Sequence, residues 1–126
     1  MIYACQLSEL PRGGALRLTD LPGGAPVALF HTDEGELFAV DDTCTHADAS
    51  LADGFVEGCA VECPLHAAIF DLRTGEADGM IATYPVRTHT VVTSDGAVHL
   101  RLSEAAPHLP AAARRTPGTC GAGAAS

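Results

Sequence analysis

The sequence contains no tryptophan and no lysine, and its seven basic residues are outnumbered by sixteen Asp and Glu. The formal net charge is −9 at pH 7. A chain this acidic does not present a nucleic-acid-binding surface by default, and an anionic membrane is a poor partner for it. The charge favours a positively charged protein partner, and it equally serves to keep a small protein in solution.

Long apolar runs are also missing. No stretch of about eighteen apolar residues occurs, so the sequence predicts no membrane-spanning helix and no membrane partner. Residues 1–6 lack the basic segment and apolar run of a secretory signal, which predicts a cytoplasmic location; residues 2–6 instead predict a first strand. A Gly-x-Gly-x-x-Gly motif is absent, so we expect no NADH or flavin bound by that route.

The composition predicts short strands. Thirteen Gly, eight Pro and only six aromatic residues separate brief apolar runs, which is typical of an all-β domain. The runs 27–31 and 36–40 flank a polar loop and predict a hairpin. A later hairpin joins 84–93 to 97–102, and the Asp-Gly pair at 95–96 suits a type I′ turn.

The chain changes in composition near its end. We expect residues 1–103 to form one domain, because regular apolar patterning continues to about residue 102. Residues 104–126 are rich in Ala, Pro and Gly and cannot bury enough apolar surface to order themselves. The sequence therefore predicts a disordered tail over 104–126.

Two short segments each combine one cysteine with one histidine. The first contains Cys44 and His46, the second contains Cys63 and His66, and sixteen residues separate His46 from Cys63. Two thiolates and two imidazoles suit either Zn²⁺ or a [2Fe–2S] cluster in which histidines replace two cysteines on one iron.

The spacing of these residues favours the cluster over zinc. A zinc finger commonly takes both cysteines from one knuckle and both histidines from a helix. Here each segment supplies one ligand of each kind, so two facing loops can each send a cysteine to one iron and a histidine to the other. A zinc-stabilised interaction module is the alternative that the residues leave open.

We expect the remaining cysteines to be ordinary small apolar side chains, namely Cys5, Cys59 and Cys120. Five cysteines in a chain expected in a reducing compartment favour metal binding over a disulfide framework. Cys59 lies four residues before Cys63, within an expected hairpin over 55–62, and is the nearest competitor as a ligand.

The Cys-x-His and Cys-x-x-His pattern at positions 44, 46, 63 and 66 resembles that of Rieske [2Fe–2S] proteins. The similarity covers nearly all of residues 2–102 and is strongest between 40 and 75. The sequence departs from the family at Ala67, where a glycine is usual, so a methyl group must fit there. Beyond the ligands, the residues shared with ferredoxin-type members are Ala49, Leu51, Gly54, Gly58, Phe70 and Asp71.

The resemblance implies an antiparallel β-sandwich of small sheets with the cluster-binding loops at one tip. It also implies one [2Fe–2S] cluster, with Cys44 and Cys63 on one iron and His46 and His66 on the other. The histidine-bound iron would then lie near solvent, where an electron can leave through an imidazole.

Four positions resemble the ferredoxin-type branch rather than the high-potential branch. High-potential members carry a disulfide between their two loops, and the matching positions here are Ala49 and Leu65. They also place hydroxyl groups near the cluster, where this sequence has Ala68 and Phe70. Because these donors are missing, we expect a potential in the lower part of the Rieske range of about −150 to +300 mV.

The resemblance implies a soluble one-electron carrier. It would pass electrons from a flavin-dependent NAD(P)H ferredoxin reductase to the terminal oxygenase of an aromatic-ring dioxygenase system. The chain has no room for the second, mononuclear iron site of an oxygenase, so we expect an electron-transfer component that is not itself an enzyme. We expect a monomer when free; the alternative is a fixed relay subunit of a larger oxidoreductase such as a cytoplasmic nitrite reductase.

Overall fold

The computed structural model describes residues 1–44, 49–64, 68–78 and 85–104. Over these residues all strand pairings are antiparallel, and two short 3₁₀ segments, Leu7–Glu9 and Leu51–Asp53, are the helical elements. The strands are β1 (Ile2–Gln6), β2 (Ala15–Leu18), β3 (Val27–His31), β4 (Leu37–Asp41), β5 (Phe55–Glu57), β6 (Ala60–Glu62), β7 (Ile69–Asp71), β8 (Ala77–Asp78), β9 (Thr88–Ser94) and β10 (Ala97–Arg101).

The strands form two sheets. A large sheet has the order β1-β10-β9-β4-β3-β2, and a small sheet has the order β5-β6-β7-β8. The expectation of an all-β fold of antiparallel sheets is therefore confirmed. No helix in the described ranges is long and apolar enough to cross a membrane.

The large sheet curls on itself. Its two halves join through short pairing of β4 with β9, in which Ala39 lies opposite His89. Leu29 and Ala39 of one half pack in the same buried cluster as Val98 and Leu100 of the other half. This packing closes a first core within the large sheet.

Strand β3 contributes to both cores of the molecule. All of its residues from 27 to 30 are buried. Because successive strand side chains point to opposite faces, Leu29 enters the first core while Ala28 and Phe30 enter a second core between the sheets. A continuous apolar run, rather than an alternating one, is what a strand buried on both faces requires.

The small sheet packs only one of its faces against the second core. Val56, Val61 and Phe70 are cross-strand neighbours on the inner face, and Val61 and Phe70 are fully buried. On the outer face, Phe55 and Glu62 lie opposite each other and are both exposed. This alternation orients the sheet and leaves its outer face open to solvent.

The predicted later hairpin is present, with one change at its start. The turn residues 95–96 have φ values of +53° and +79°, as a type I′ turn requires. Strand β9 begins at Thr88, later than the expected residue 84, because the Val86 N–H donates to the Gly75 carbonyl instead of to a strand.

The last described strand ends at Arg101, close to the predicted domain boundary. The Ser103 N–H still donates to the buried ring of His89, at 2.9 Å. The tail predicted over 104–126 lies outside the described residues from 105 onward, so both this tail and the boundary at 103 stay predictions.

Candidate metal centre

Two loops begin at the cysteines singled out in the sequence. The first follows β4 and starts at Cys44, whose N–H donates to the Ala49 carbonyl at 2.9 Å. The second joins β6 to β7 and starts at Cys63, whose N–H donates to the Ala68 carbonyl at 2.8 Å. The two loops are therefore of equal length and are closed at the base by equivalent hydrogen bonds.

A cross-strand pair flanks each of these hydrogen bonds. Thr43 forms an isolated bridge with Ser50 below the first loop. Glu62 pairs with Ile69 below the second loop, where this is the last pair of the β6–β7 hairpin. Each loop is thus held as the end of a narrow antiparallel ladder, so its base position is fixed by the sheets.

The two loop cysteines are buried in the same core. Cys44 is 3% exposed and Cys63 is 1% exposed, and neither is in a disulfide. Both belong to the apolar cluster that lies between the sheets. Two buried thiols in an apolar setting fit the sulfur ligands of an iron–sulfur cluster, which is held by thiolates shielded from water.

The predicted histidine ligands, His46 and His66, lie outside the described residues, as do Leu65 and Ala67. For this reason the described residues alone bring together no set of three potential metal ligands. The structure therefore describes the positions of Cys44 and Cys63, and the assignment of all four residues as ligands stays a prediction.

The exit of the second loop is apolar. Ala68 and Phe70 are fully buried, and both belong to the core between the sheets. Their side chains offer no hydrogen-bond donor. The expected potential in the lower part of the Rieske range, which rests on the missing hydroxyl groups, stays a prediction.

Asp42 links the two limbs of the first loop, and sequence reasoning missed this role. Its buried carboxylate accepts hydrogen bonds from the Ser50 hydroxyl at 2.7 Å and from the Ala52 N–H at 3.0 Å. The Arg17 Nε donates to the second carboxylate oxygen at 2.9 Å. The only sequence signal was an Asp-Asp pair directly before the loop, and such a pair reads equally as an exposed turn.

A second buried carboxylate ties β4 to β9. The Asp41 side chain accepts hydrogen bonds from His89 Nε2 and from Arg87 Nε, each at 3.0 Å. His89 Nδ1 accepts the Ser103 N–H, so the ring proton must be on Nε2. Both ring nitrogens of His89 therefore have protein partners, Asp41 and the Ser103 N–H.

These contacts set the pKa of Asp41. Burial alone would raise the pKa, but the hydrogen bonds from His89 and Arg87 and the charge of Arg87 outweigh it. The pKa of Asp41 therefore lies below its ordinary value, and the group is a carboxylate at neutral pH.

Gly54 is needed for the close approach of the loops' supporting segments. A Cβ atom at this position would lie 2.2 Å from the Glu62 carbonyl oxygen, a contact that no side chain can make. Gly54 directly precedes β5, and Glu62 directly precedes Cys63. The absent side chain thus lets the start of β5 pack beside the base of the second loop.

The other described cysteines, Cys5 and Cys59, are also buried. Burial, followed by the nearby Glu9 carboxylate, raises the pKa of the Cys5 thiol. Cys5 is not in a disulfide, as expected, but the expectation is wrong for Cys59, which is disulfide-bonded. A single cysteine at a hairpin turn gives no sequence signal for its partner, so this bond could not be predicted.

Comparison with known proteins identifies the family. A family model described as "Rieske [2Fe-2S] domain" matches residues 1–90, a range that includes both loops. The 3-phenylpropionate/cinnamic acid dioxygenase ferredoxin subunit of Photorhabdus laumondii is 48% identical over 104 residues, which cover 82% of this chain and 95% of that protein.

Solved structures show the same fold. The structure described as "Sphingomonas yanoikuyae B1 ferredoxin" has a TM-score of 0.73 at 31% identity, covering 81% of this chain and 98% of that one. A chain of the complex of reduced oxygenase and oxidized ferredoxin in carbazole 1,9a-dioxygenase has a TM-score of 0.71 at 32% identity, covering 79% of this chain and all of that one. The chain therefore belongs to the Rieske [2Fe–2S] domain family, as its two Cys-His segments predict, and the cofactor of this family is one [2Fe–2S] cluster.

Proposed function

We propose that Cys44, His46, Cys63 and His66 are the four ligands, with the cysteines on one iron and the histidines on the other. The observation that carries this proposal is the pair of equally closed loops, each of which begins at a buried cysteine. The match to the Rieske domain spans all four positions. Each loop contains one cysteine and one histidine, so neither loop can bind the cluster alone.

We infer that the chain is the ferredoxin of an aromatic-ring dioxygenase system. When bound, the [2Fe–2S] cluster supplies a centre that accepts and releases one electron. The chain's own contribution is to bury the sulfur ligands and to exclude water with the apolar side chains around Ala68 and Phe70. The relative from Photorhabdus laumondii, 48% identical, is named as such a ferredoxin subunit, which supports this assignment.

The electron path consists of two docking events. A flavin-dependent NAD(P)H ferredoxin reductase reduces the chain, and the reduced chain then docks with the terminal oxygenase, where the substrate is oxidised. The chain is an electron-transfer component and not the enzyme. We assign these roles to a monomer in the cytoplasm. Its folded domain spans residues 1–103, because the Ser103 N–H makes the last described contact with a buried side chain.

The test is spectroscopic and kinetic. The purified chain should contain two iron and two acid-labile sulfide per molecule and should give a Rieske-type paramagnetic resonance signal after reduction. Cys44→Ser and Cys63→Ser variants should lose this signal. A colourless, zinc-containing protein would overturn the cluster assignment.

Gel filtration tests the shuttle. A free monomer that accepts electrons from a flavoprotein reductase supports it, whereas purification from its native host in a stable large assembly would favour the fixed relay subunit instead.

A further inference from the structure

An exposed aromatic residue lies beside the second loop and has no role in binding the cluster. Phe55 is 65% exposed, the largest exposed fraction among the large apolar side chains of the described residues. It begins β5, directly opposite Glu62 of β6. Exposing a whole aromatic ring to water is unfavourable, and single exposed aromatic rings are enriched where proteins bind partners.

Phe55 belongs to a row that crosses the outer face of the small sheet. Strand register places Glu62 opposite Phe55 and Ile69 opposite Glu62. We call Phe55, Glu62 and Ile69 the outer row. Glu62 is exposed and Ile69 is half-buried, so the row presents two apolar side chains on either side of one carboxylate.

The outer row is continuous with the base of the second loop. Glu62 directly precedes Cys63, and Ile69 directly follows Ala68, the residues whose backbone hydrogen bond closes the loop. Neighbouring strands lie about 4.8 Å apart, so the Phe55 backbone lies within about 10 Å of the Cys63 backbone. A partner seated on the outer row would therefore be held next to the cluster.

The charge around Phe55 has one sign. Between His46 and His66 the chain contains four acidic residues and no basic residue. Glu57, two residues after Phe55 on the same face of β5, is exposed, as is Glu62. Within the described ranges, neither carboxylate is part of an ion pair. A partner surface complementary to this one would consist of an apolar recess surrounded by Arg or Lys side chains.

We propose that the outer row, with Glu57 at its edge, is the surface on which the terminal oxygenase docks, and that Phe55 inserts into an apolar recess of that partner. This inference rests on the proposed function. Phe55 supplies binding energy as the most exposed apolar contact of the row, while Glu57 and Glu62 attract basic side chains of the oxygenase.

The test uses the full, cluster-containing chain, reduced beforehand with dithionite, and the purified terminal oxygenase of the 3-phenylpropionate/cinnamic acid dioxygenase of Escherichia coli. The measurement is the rate of oxygenase reduction as a function of ferredoxin concentration. Phe55→Ala should raise the KM for ferredoxin about tenfold. Glu62→Gln should raise it about threefold and weaken its dependence on salt.

Two matched variants serve as controls. Tyr3→Ala removes an exposed aromatic ring from β1 of the large sheet, where Tyr3 is 54% exposed. Asp95→Asn removes an exposed carboxylate from the β9–β10 turn, where asparagine tolerates the positive φ. Both should change KM by less than about twofold. All four variants should retain the unaltered resonance spectrum and midpoint potential, which shows that the cluster is intact.

The outcomes separate the two proposals. Failure of the unaltered chain to reduce the oxygenase would contradict the proposed function itself. Equal KM values for the Phe55→Ala and Tyr3→Ala variants would overturn the docking surface while leaving the carrier role in place. The chain could instead form a concentration-dependent dimer that Phe55→Ala abolishes. That result would assign the outer row to a second copy of the chain and would also overturn the proposed docking of the oxygenase.

Discussion

At the scale of single residues, the apolar character of Ala68 is expected to set the potential of the cluster. Ala68 is fully buried at the exit of the second loop, and its carbonyl accepts the hydrogen bond from Cys63. A cluster that gains negative charge on reduction is stabilised by nearby donors, and Ala68 supplies no side-chain donor. The residue therefore favours the oxidised state relative to a serine at the same place.

Ala68→Ser is expected to raise the midpoint potential by about 60 mV, the equivalent of about 1.4 kcal/mol for one added hydrogen bond to the reduced state. A redox titration followed by visible circular dichroism measures this shift. Ala60→Ser, in the same sheet but at the far end of β6, is the control and should leave the potential unchanged. Equal potentials for both variants would show that the hydroxyl does not reach the cluster.

Asp41 contributes stability that depends on pH. Its pKa is lowered in the folded state, so its contribution is fully present above the unfolded pKa of about 3.9 and is lost as the pH falls through the folded pKa. Asp41→Asn should cost about 3 kcal/mol at pH 7, because it leaves Arg87 beside a neutral amide.

Urea denaturation between pH 7 and pH 3 measures this contribution. The difference in unfolding free energy between the original chain and the Asp41→Asn variant should shrink below about pH 4. Asp95→Asn, at an exposed turn, should show no such trend. A difference that stays constant over the whole range would contradict the role assigned to the Asp41 charge.

At the scale of elements, the first loop depends on a carboxylate that lies outside it. Asp42 connects the end of β4 with Ser50 and Ala52 beyond the loop, and its N–H donates to the Pro26 carbonyl. The second loop needs no such residue, because β6 and β7 continue as a paired hairpin up to its base. Below the first loop, Thr43 and Ser50 form only a single bridge. The hydrogen bonds to Asp42 supply the additional connections between the two sides of this loop.

Asp42→Ala is therefore expected to loosen the first loop. Loss of iron to a chelator should be accelerated roughly tenfold, the equivalent of about 1.4 kcal/mol of lost loop closure. Bleaching of the visible absorbance in excess chelator measures this rate. Asp71→Ala is the control, because Asp71 is equally buried but holds Arg73 at the far end of β7. Similar bleaching in both variants would indicate general destabilisation rather than a role in the loop.

At the scale of the whole molecule, local patterns predicted much of the fold. The strands at 2–6 and 27–31 have the predicted bounds, and the Asp-Gly turn at 95–96 has the predicted type. These features depend on neighbours in sequence. The two cysteines at which the loops begin were also singled out from a local pattern, their spacing to the neighbouring histidines, and their role as ligands stays a prediction.

Contacts between distant residues could not be predicted in the same way. The partners of Asp41 are more than forty residues away along the chain, as the separation of 48 from His89 shows. The alternation of His99 with Val98 and Leu100 predicts that His99 faces water. In the structure it is half-buried, and its ring makes an edge contact with Tyr3 at a centroid distance of 5.9 Å. Alternation along β10 identifies two faces but does not indicate that β1 pairs with its edge and places Tyr3 opposite His99.

The two cysteines proposed as ligands follow strands that belong to different sheets, Cys44 after β4 of the large sheet and Cys63 after β6 of the small sheet. A cofactor bound by both would link two separately hydrogen-bonded sheets. Disruption of the packing between these sheets should therefore release iron before the strands unfold. Loss of the visible absorbance of this ferredoxin would then precede loss of its far-ultraviolet circular dichroism signal.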